Sequence, residues 1–343
     1  MHTKALPTLA VLGCGTWGKN IIRTAADLGV LGAICDPFAP QGTLDSLSKK
    51  YKVPLLPLKA ILESPAFDGA ILATPTPTHY SLTKDILNAG KHVLIEKPMV
   101  KTIAEHEDIV SLSKKQGCYA MVGHLLLYHP AFTKVKSCIQ DGLIGDVQFL
   151  HSHRTNLGRI YPYESTLWDL LPHDLSMILD IMQELPQRVL ATEQVYLYEG
   201  MGDVATIELV FSNNRHAHIH ESRLSPRKEQ RLIVGGDKGM LTFDDTQEWQ
   251  HKVAHNPSYV LPTAPIPQIH QKEEQHFPLP PAEPLRLELE HFINVITGTE
   301  TLKTSAQSAL DILKVILAAE ASIRESRWVE LDSPLCVPTS IAS

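Results

Sequence analysis

The sequence of 343 residues lacks several features that would place it in other classes of protein. No apolar run approaches the roughly 18 residues that a membrane-spanning helix needs, so we expect no membrane span. There is no basic block either, because 31 Lys and Arg residues stand against 38 Asp and Glu residues, a formal net charge of −7. A nucleic-acid-binding protein is expected to carry a basic face, which disfavours that class. The N-terminus also lacks the basic and apolar regions of a secretory leader, so we expect none.

Cysteine is scarce and has no pattern. The five cysteines are odd in number, scattered and without a C-x-x-C pair. We therefore expect free thiols, no disulfide framework and a reducing, cytoplasmic compartment. A chain of this length buries enough surface to fold without disulfides or metal ions. We also find no internal repeat.

The first part of the chain alternates short apolar runs with stretches of helical spacing. The runs that predict buried strands are Leu9–Leu12, Gly32–Cys35, Gly69–Ala73, His92–Ile95 and Tyr119–Val122. The stretches that predict helices are Gly18–Leu28, Leu44–Lys50, Thr78–Ala89 and Ile103–Gln116. This alternation is typical of βαβ units with right-handed crossovers. Residues 1–122 are therefore predicted to form an α/β domain with a doubly wound parallel sheet of the Rossmann type.

The pattern changes to period two after residue 123. The predicted strands here are Leu143–His153, Arg188–Leu197, Ala205–Phe211, His216–Arg223, Glu229–Val234 and Met240–Asp244, with one helix over Leu167–Met182. Residues 123–343 are thus predicted to form an α+β domain on an open, mostly antiparallel sheet. Eight prolines over residues 257–284 predict a surface loop. Two helices, Leu285–Thr297 and Ser305–Glu325, follow this loop. These two helices are candidates to pack against the first domain.

A dinucleotide-binding motif follows the first predicted strand. Gly13, Gly15 and Gly18 match G-x-G-x-x-G, and the predicted helix begins directly after them. These glycines allow the tight turn, the close approach of backbone to a pyrophosphate and the packing of helix on strand. Asp36 ends the second predicted strand and can accept a hydrogen bond from the adenine-ribose 2′-hydroxyl. Because its charge would repel a 2′-phosphate and no Arg follows it directly, NAD is predicted over NADP.

Three further motifs carry a resemblance to a known family. They are residues 73–79 (A-T-P-T-P-T-H), residues 96–98 (E-K-P) and residues 168–174 (W-D-L-L-P-H-D). Together with the glycine motif, they resemble the glucose–fructose oxidoreductase/inositol dehydrogenase (Gfo/Idh/MocA) family from about residue 9 to residue 328. The resemblance implies a nicotinamide-dependent oxidoreductase of sugars or cyclitols that forms a homodimer or homotetramer through the open sheet. It also implies a cis peptide at Lys97–Pro98, and cofactor contacts from Thr16, Trp17, Thr74, Pro75, His79, Glu96 and Lys97.

The resemblance assigns catalysis to Lys97, Asp169 and His173. Asp169 and His173 are four residues apart, so on one helix they would share a face. Oxidation of an alcohol needs a base for the hydroxyl proton, and His titrates near the working pH. Lys97 would stabilise the negative charge that develops on the oxygen. Asp169 would orient and polarise the reacting groups rather than transfer the proton. We expect Lys97 and His173 to converge on one substrate hydroxyl.

Residues 154–159 (R-T-N-L-G-R) followed by the W-D-L-L-P-H-D segment are similar to the nucleotide-sugar 3-dehydrogenase branch of the family. This branch oxidises C3 of UDP-N-acetylglucosamine or its glucuronate form, and a pyridoxal-phosphate aminotransferase then aminates the 3-keto sugar, giving 2,3-diamino sugars for lipid A or surface polysaccharide. Arg154, Asn156 and Arg159 are candidate contacts for sugar and diphosphate. The likeness favours the uncharged sugar.

Other substrates and roles stay open at this stage. An inositol or simple-sugar dehydrogenase is the first alternative, a hydrolase that keeps NAD as a bound redox cofactor is another, and an NAD-binding regulator without enzymatic activity is the third. The physiological direction and the size of the oligomer are not determined by the sequence.

Three histidines, His216, His218 and His220, alternate along one predicted strand. We expect no metal site there, because no carboxylate or cysteine cluster in the sequence completes the set of ligands. The strand is expected to line the solvent or subunit face of the open sheet. Cys14 and Cys35 lie beside the cofactor motifs and are interpreted as small packing residues.

Overall fold

The computed structural model describes residues 5–158, 160 and 164–331 of the chain. Within these residues the chain divides into two compact units. The first unit contains residues up to 125 together with 283–310, and the second contains 126–282 together with 311–331. The sequence places the boundary after residue 122, and the observed first unit continues to Leu125.

The first unit is built on a five-stranded parallel sheet in the order β2-β1-β3-β4-β5. Its strands are β1 (Leu9–Leu12), β2 (Leu31–Cys35), β3 (Gly69–Leu72), β4 (His92–Glu96) and β5 (Ala120–Gly123). Nearly all of their apolar side chains are buried, because helices cover both faces of such a sheet. The order reverses direction at β1, as the predicted doubly wound topology requires.

Six helices of the described residues accompany this sheet, five of them between its strands. They are α1 (Thr16–Asp27), α2 (Gln41–Tyr51), α3 (Leu58–Glu63), α4 (His79–Asn88), α5 (Ile103–Gln116) and, from the later part of the chain, α9 (Pro284–Thr297). The ends of α5 show how local sequence sets a boundary. Thr102 accepts a hydrogen bond from the amide of Glu105 at its start, and Gly117 ends it with φ of 63°. Helix α9 packs on α1, where Arg23 and Glu283 form an ion pair.

The second unit is built on a nine-stranded mixed sheet in the order β15-β12-β11-β10-β6-β9-β8-β7-β16. All neighbouring strands are antiparallel except β6 and β9, which are parallel. The strands are β6 (Val147–Leu157), β7 (Arg188–Gln194), β8 (Val204–Val210), β9 (His216–Ser222), β10 (Leu224–Gly236), β11 (Gly239–Asp244), β12 (Val253–Asn256), β15 (Gln275–His276) and β16 (Val329–Glu330). The predicted open, mostly antiparallel sheet is confirmed.

The helix predicted over Leu167–Met182 is instead two helices. They are α7 (Thr166–Asp169) and α8 (Leu171–Met182), which meet at Leu170. Pro172 explains the interruption, since it has no amide hydrogen to continue the helical bonding across Leu170. The remaining helices here are α6 (Pro130–Gln140) and α10 (Ala306–Glu325), and α10 begins in the first unit and continues in the second.

The proline-rich segment 257–284 is not entirely loop. It contains a hairpin of β13 (Tyr259–Leu261) and β14 (Gln268–His270), and β15 pairs with β12. Residues 259–261 and 268–270 contain no Pro, although prolines flank them. Their amides can therefore form the hydrogen bonds of a strand pair. Among the described residues, no helix combines the length and apolar composition that crossing a membrane requires.

Candidate functional site

The turn between β1 and α1 has the geometry that a dinucleotide needs. Gly13 has φ of +93°, and a side chain there would lie 2.5 Å from the carbonyl oxygen of Ala73. A side chain at Gly18 would collide with the backbone of Gly13, so helix and turn approach each other only through glycine. No atom of the described residues lies within 4 Å of the Cβ position of Gly15, which leaves its backbone open to them on that side. Because α1 begins at Thr16, its first amides and helix dipole favour an anion here.

Asp36 directly follows β2 and is linked to this turn. Its Oδ2 atom accepts a hydrogen bond from the amide of Cys14 at 2.8 Å, and Oδ1 accepts from the amides of Phe38 and Ala39 at 3.0 Å. Burial alone would raise the pKa of Asp36, but these amide hydrogen bonds outweigh it and lower the pKa. Asp36 is therefore negatively charged at neutral pH, as the predicted preference for NAD requires. Burial and Asp36 raise the pKa of the Cys14 thiol to about 11, so this thiol stays neutral.

His79 joins the loops that follow β3 and β4. Its ring nitrogens lie 2.8 Å from the carbonyl oxygen of Thr74 and 2.9 Å from that of Pro98. The side chain is only 1% exposed, and burial lowers its pKa despite hydrogen bonds to backbone that act in the opposite direction. We predicted a cofactor contact for His79, and its burial between two loops supports a positioning role. The predicted contact Thr74 accepts a hydrogen bond at its hydroxyl from Thr78 at 2.8 Å.

Glu96 and Lys97 lie at the end of β4. The indole N–H of Trp17, another predicted cofactor residue, donates to Oε1 of Glu96. Burial raises the pKa of Glu96 although Trp17 and the positive charge of Lys97 lower it. The Lys97–Pro98 peptide is cis, as the resemblance implies. Because β1 to β4 are parallel, the glycine turn, Asp36, the loop of Thr74 and Pro75, and Lys97 all lie at the same edge of the sheet.

Two titratable residues of the first unit were missed by the sequence reasoning. Glu288 on α9 is 1% exposed, and burial together with the negative charge of Glu96 raises its pKa well above the ordinary value. The available signal was its position on the apolar stripe of α9, next to Leu285 and Leu289. His124 directly follows β5, and burial and the positive charge of Lys97 lower its pKa to about 4. Neither of its ring nitrogens has a hydrogen-bond partner among the described residues.

In the second unit, Asp169 and His173 lie on either side of the break in the helix. Asp169 is the last residue of α7, and His173 is in the first turn of α8. The amide of His173 donates to the carbonyl of Leu170 at 3.0 Å, which carries the chain through the break. Both side chains are partly exposed. Asp169 and His173 therefore lie on two successive helices rather than on one face of a single helix.

Next to His173, Asp174 is the centre of a buried ion pair. It accepts hydrogen bonds from Nε and Nη2 of Arg154 at 2.9 and 2.8 Å, and from the hydroxyl of Ser152 at 2.8 Å. Arg154 is 8% exposed and Asp174 is fully buried. Arg154 is one of the predicted contacts for sugar and diphosphate, and its placement supports instead a role in holding α8 on β6. Of the other predicted substrate contacts, Asn156 is partly exposed on β6, and Arg159 lies outside the described residues.

A second carboxyl group, Glu221, is buried beside this pair. Its position on β9 is opposite Arg154 on β6, and its side chain is 0% exposed. Neither carboxyl oxygen accepts a hydrogen bond from the described residues. Burial and the negative charge of Asp174 raise its pKa well above the ordinary value. The folded protein therefore favours the protonated form of Glu221 more than the unfolded chain does. The sequence analysis did not identify this residue.

The catalytic candidates come from both units. Lys97 belongs to the first unit, whereas Asp169 and His173 belong to the second. Their convergence on one substrate hydroxyl stays a prediction. Within the first unit, the structure does bring the glycine motif, Asp36 and the E-K-P motif together at one edge of the sheet.

A Rossmann sheet whose carboxyl edge carries a glycine-rich turn, an acidic residue after β2 and a lysine after β4 defines an NAD-binding oxidoreductase. Comparison with family models agrees with this description. Residues 8–124 match the oxidoreductase family with an NAD-binding Rossmann fold, and residues 132–242 match the GFO/IDH/MocA C-terminal domain. The chain belongs to the Gfo/Idh/MocA family of oxidoreductases.

Relatives within this family act on different substrates. The chain is 24% identical to inositol 2-dehydrogenase of Rhizobium meliloti over 335 residues, which cover 94% of this chain and 98% of the relative. It is 22% identical to UDP-N-acetylglucosamine 3-dehydrogenase of Acidithiobacillus ferrooxidans over 317 residues, 91% of this chain and 96% of the relative. Among solved structures, aldose-aldose oxidoreductase of Caulobacter crescentus matches with a TM-score of 0.82 at 22% identity, covering 95% of this chain and all of that one. The last likeness shows the fold alone.

Proposed function

We propose that this NAD-dependent oxidoreductase oxidises the C3 hydroxyl of UDP-N-acetylglucosamine to a 3-keto nucleotide sugar. The observation that carries the reaction type is the position of Lys97 at the sheet edge that holds the dinucleotide motif and Asp36. The observation that favours this substrate is the likeness of residues 154–174 to the nucleotide-sugar branch. The 3-dehydrogenase relative, which matches this chain almost from end to end, supports it.

The roles of the side chains follow from the chemistry of alcohol oxidation. NAD, when bound, accepts the hydride. His173 is proposed to take the hydroxyl proton, since an imidazole can accept a proton near neutral pH. Lys97 is proposed to stabilise the negative charge that develops on the oxygen. Asp169 is proposed to orient and polarise these groups. Asn156 and Arg159 remain the proposed contacts to the nucleotide sugar.

A comparison of substrates tests the proposal. We expect the purified chain to reduce NAD with UDP-N-acetylglucosamine but not with free N-acetylglucosamine, because the diphosphate supplies binding energy remote from the reacting carbon. The product is identified by NMR, which distinguishes a ketone at C3 from one at another carbon. Efficient turnover of the free sugar would contradict the proposed nucleotide-sugar substrate, and preference for the glucuronate form would move the assignment within the same branch.

An inositol dehydrogenase is the second candidate, and the near-complete match to inositol 2-dehydrogenase favours it. Myo-inositol is therefore assayed beside the nucleotide sugars. Turnover of myo-inositol alone would support this second candidate. NAD binding without turnover of any of these substrates would support a regulator instead.

Two substitutions test the roles of the catalytic candidates. We expect His173→Ala and Lys97→Ala each to lower turnover by about 10²- to 10⁴-fold, the usual effect of losing a positioned acid–base group. NAD affinity should change little for His173→Ala. The exposed residues His251 and Lys49 provide matched controls, and their Ala variants should keep normal turnover. If His173→Ala retained near-normal turnover, Lys97 would become the candidate base.

Two proposals about partners accompany this function. We propose that the chain forms a homo-oligomer through its open sheet. We also propose that a pyridoxal-phosphate aminotransferase uses the 3-keto product, since a ketone is the substrate from which transamination makes an amine. Sedimentation of the purified chain tests the first proposal. Coupled turnover with an aminotransferase and an amino donor tests the second.

A further inference from the structure

A group of polar side chains lies on the face of the nine-stranded sheet that α8 does not cover. Asp174 of α8 contacts Ser152 and Arg154, so α8 packs on the face that these two side chains share. Side chains alternate along a strand, and His151 and His153 therefore lie on the opposite face. The buried residues Ala217 and Ile219 of β9 show the same alternation with its histidines.

Strand register brings a carboxylate together on this face with five imidazoles, those of His151, His153, His216, His218 and His220. His151 is opposite His218, and His153 is opposite His220, across the parallel pair of β6 and β9. On the other side of β9, Glu208 of β8 is opposite His218. The sequence alone predicts no metal site here, because no carboxylate or cysteine cluster along the chain completes the set of ligands. Glu208 is that carboxylate, and only the pairing of β8 with β9 brings it there.

The distances in this group are close to those of a metal site. Oε1 of Glu208 lies 3.3 Å from Nδ1 of His216. Two ligands about 2.0–2.1 Å from a tetrahedral zinc ion are separated by roughly 3.4 Å, so these two atoms already have the required spacing. One ligand atom from each of Glu208, His216 and His218 lies within 4.8 Å of the other two. His218 is exposed in the single chain, so its side chain is able to rotate the remaining distance there.

We propose that Glu208, His216 and His218 bind one divalent transition-metal ion, with zinc as the expected ion. Imidazole nitrogens select zinc, copper or nickel over magnesium and calcium, which prefer oxygen ligands. Three protein ligands leave a fourth position. His151 is the candidate for that position, because its ring lies 5.3 Å from the ring of His218. The Glu208 carboxylate offsets part of the charge of the ion.

Metal titration of the full chain tests this proposal. The chain is prepared without an affinity tag, stripped with a chelator and titrated with zinc chloride by calorimetry. We expect saturation at one ion per chain. We expect His216→Ala and His218→Ala each to weaken zinc affinity by about tenfold or more, and Glu208→Gln to weaken it as well, since a neutral amide is a poor zinc ligand.

His220→Ala is the matched control, because His220 lies on the same strand and face outside the proposed ligand set. It should leave zinc affinity unchanged. Cobalt provides a second measurement, since its visible absorption should show bound nitrogen and oxygen ligands in the wild type and lose that signal in His218→Ala. Absence of saturable binding would overturn the proposal. Affinity that stays unchanged in both His216→Ala and His218→Ala, or that falls equally in His220→Ala, would also overturn it.

Discussion

Replacement of the buried Glu221 by Gln tests whether this side chain is protonated in the folded protein. Glu221 is fully buried beside Asp174, and its pKa is raised well above the ordinary value by burial and by that negative charge. Between the unfolded pKa of about 4.3 and the higher folded pKa, the folded protein binds a proton that the unfolded chain releases. Because the folded state binds more protons, stability falls as pH rises above this value.

The magnitude follows from the difference in bound protons. Each pH unit between the unfolded and folded pKa of Glu221 lowers the free energy of unfolding by about 1.4 kcal/mol. Between pH 5 and pH 7.5 the wild type should therefore lose at most about 3.4 kcal/mol through this group. Glu221→Gln removes the titration and preserves the shape of the side chain. The variant should gain stability relative to the wild type as pH rises.

Urea unfolding at pH 5 and pH 7.5, followed by circular dichroism and tryptophan fluorescence, measures this change. Glu248→Gln is the control, since Glu248 is an exposed carboxyl of the same unit and its replacement should leave the pH dependence as in the wild type. An equal stability difference between Glu221→Gln and wild type at both pH values would refute the reasoning. It would mean that Glu221 has the same protonation in the folded and unfolded states.

Three further predictions concern cofactor choice, an internal ion pair and a buried histidine. Asp36→Ala should narrow the preference for NAD over NADP by about tenfold, since loss of a hydrogen bond and of charge repulsion is worth about 1.4 kcal/mol, and titration with both cofactors measures it. Equal affinities in the wild type would contradict the assignment. Arg154→Ala should lower the free energy of unfolding by about 3–5 kcal/mol, because Asp174 stays buried without its partner. A raised KM without loss of stability would indicate instead that Arg154 contacts substrate. The pKa of His124 is lowered to about 4. The stability that the neutral side chain of His124 contributes should therefore be lost as pH falls from about 6.5 towards 4. His124→Phe should reduce the fall in melting temperature over that interval, and an unchanged fall would contradict a neutral His124.

Local sequence determined most of the first unit and part of the second. Short apolar runs that alternate with helical stretches predicted the five parallel strands, because a strand buried on both faces needs apolar residues throughout. The glycine motif followed by α1 and an acid after β2 predicted NAD binding, since each of these features acts within a few residues of chain. Period-two alternation predicted the open sheet of the second unit, because this pattern also acts within a few residues of chain. Such patterns depend on backbone geometry that neighbouring residues set.

Tertiary structure decided which side chains meet. Arg154, Asp174 and Glu221 come from β6, α8 and β9, and no spacing along the chain shows that Glu221 is buried beside the ion pair of Arg154 and Asp174. Glu208 reaches the histidines of β9 only because β8 pairs with β9 in a particular register. Pairing between distant segments depends on how whole surfaces pack, and the resulting burial and charge then decide which groups hold a proton. Short-range sequence patterns thus predicted the fold and the cofactor class. The burial and charge of the polar groups in the second unit depend instead on which strands pair in the assembled sheet.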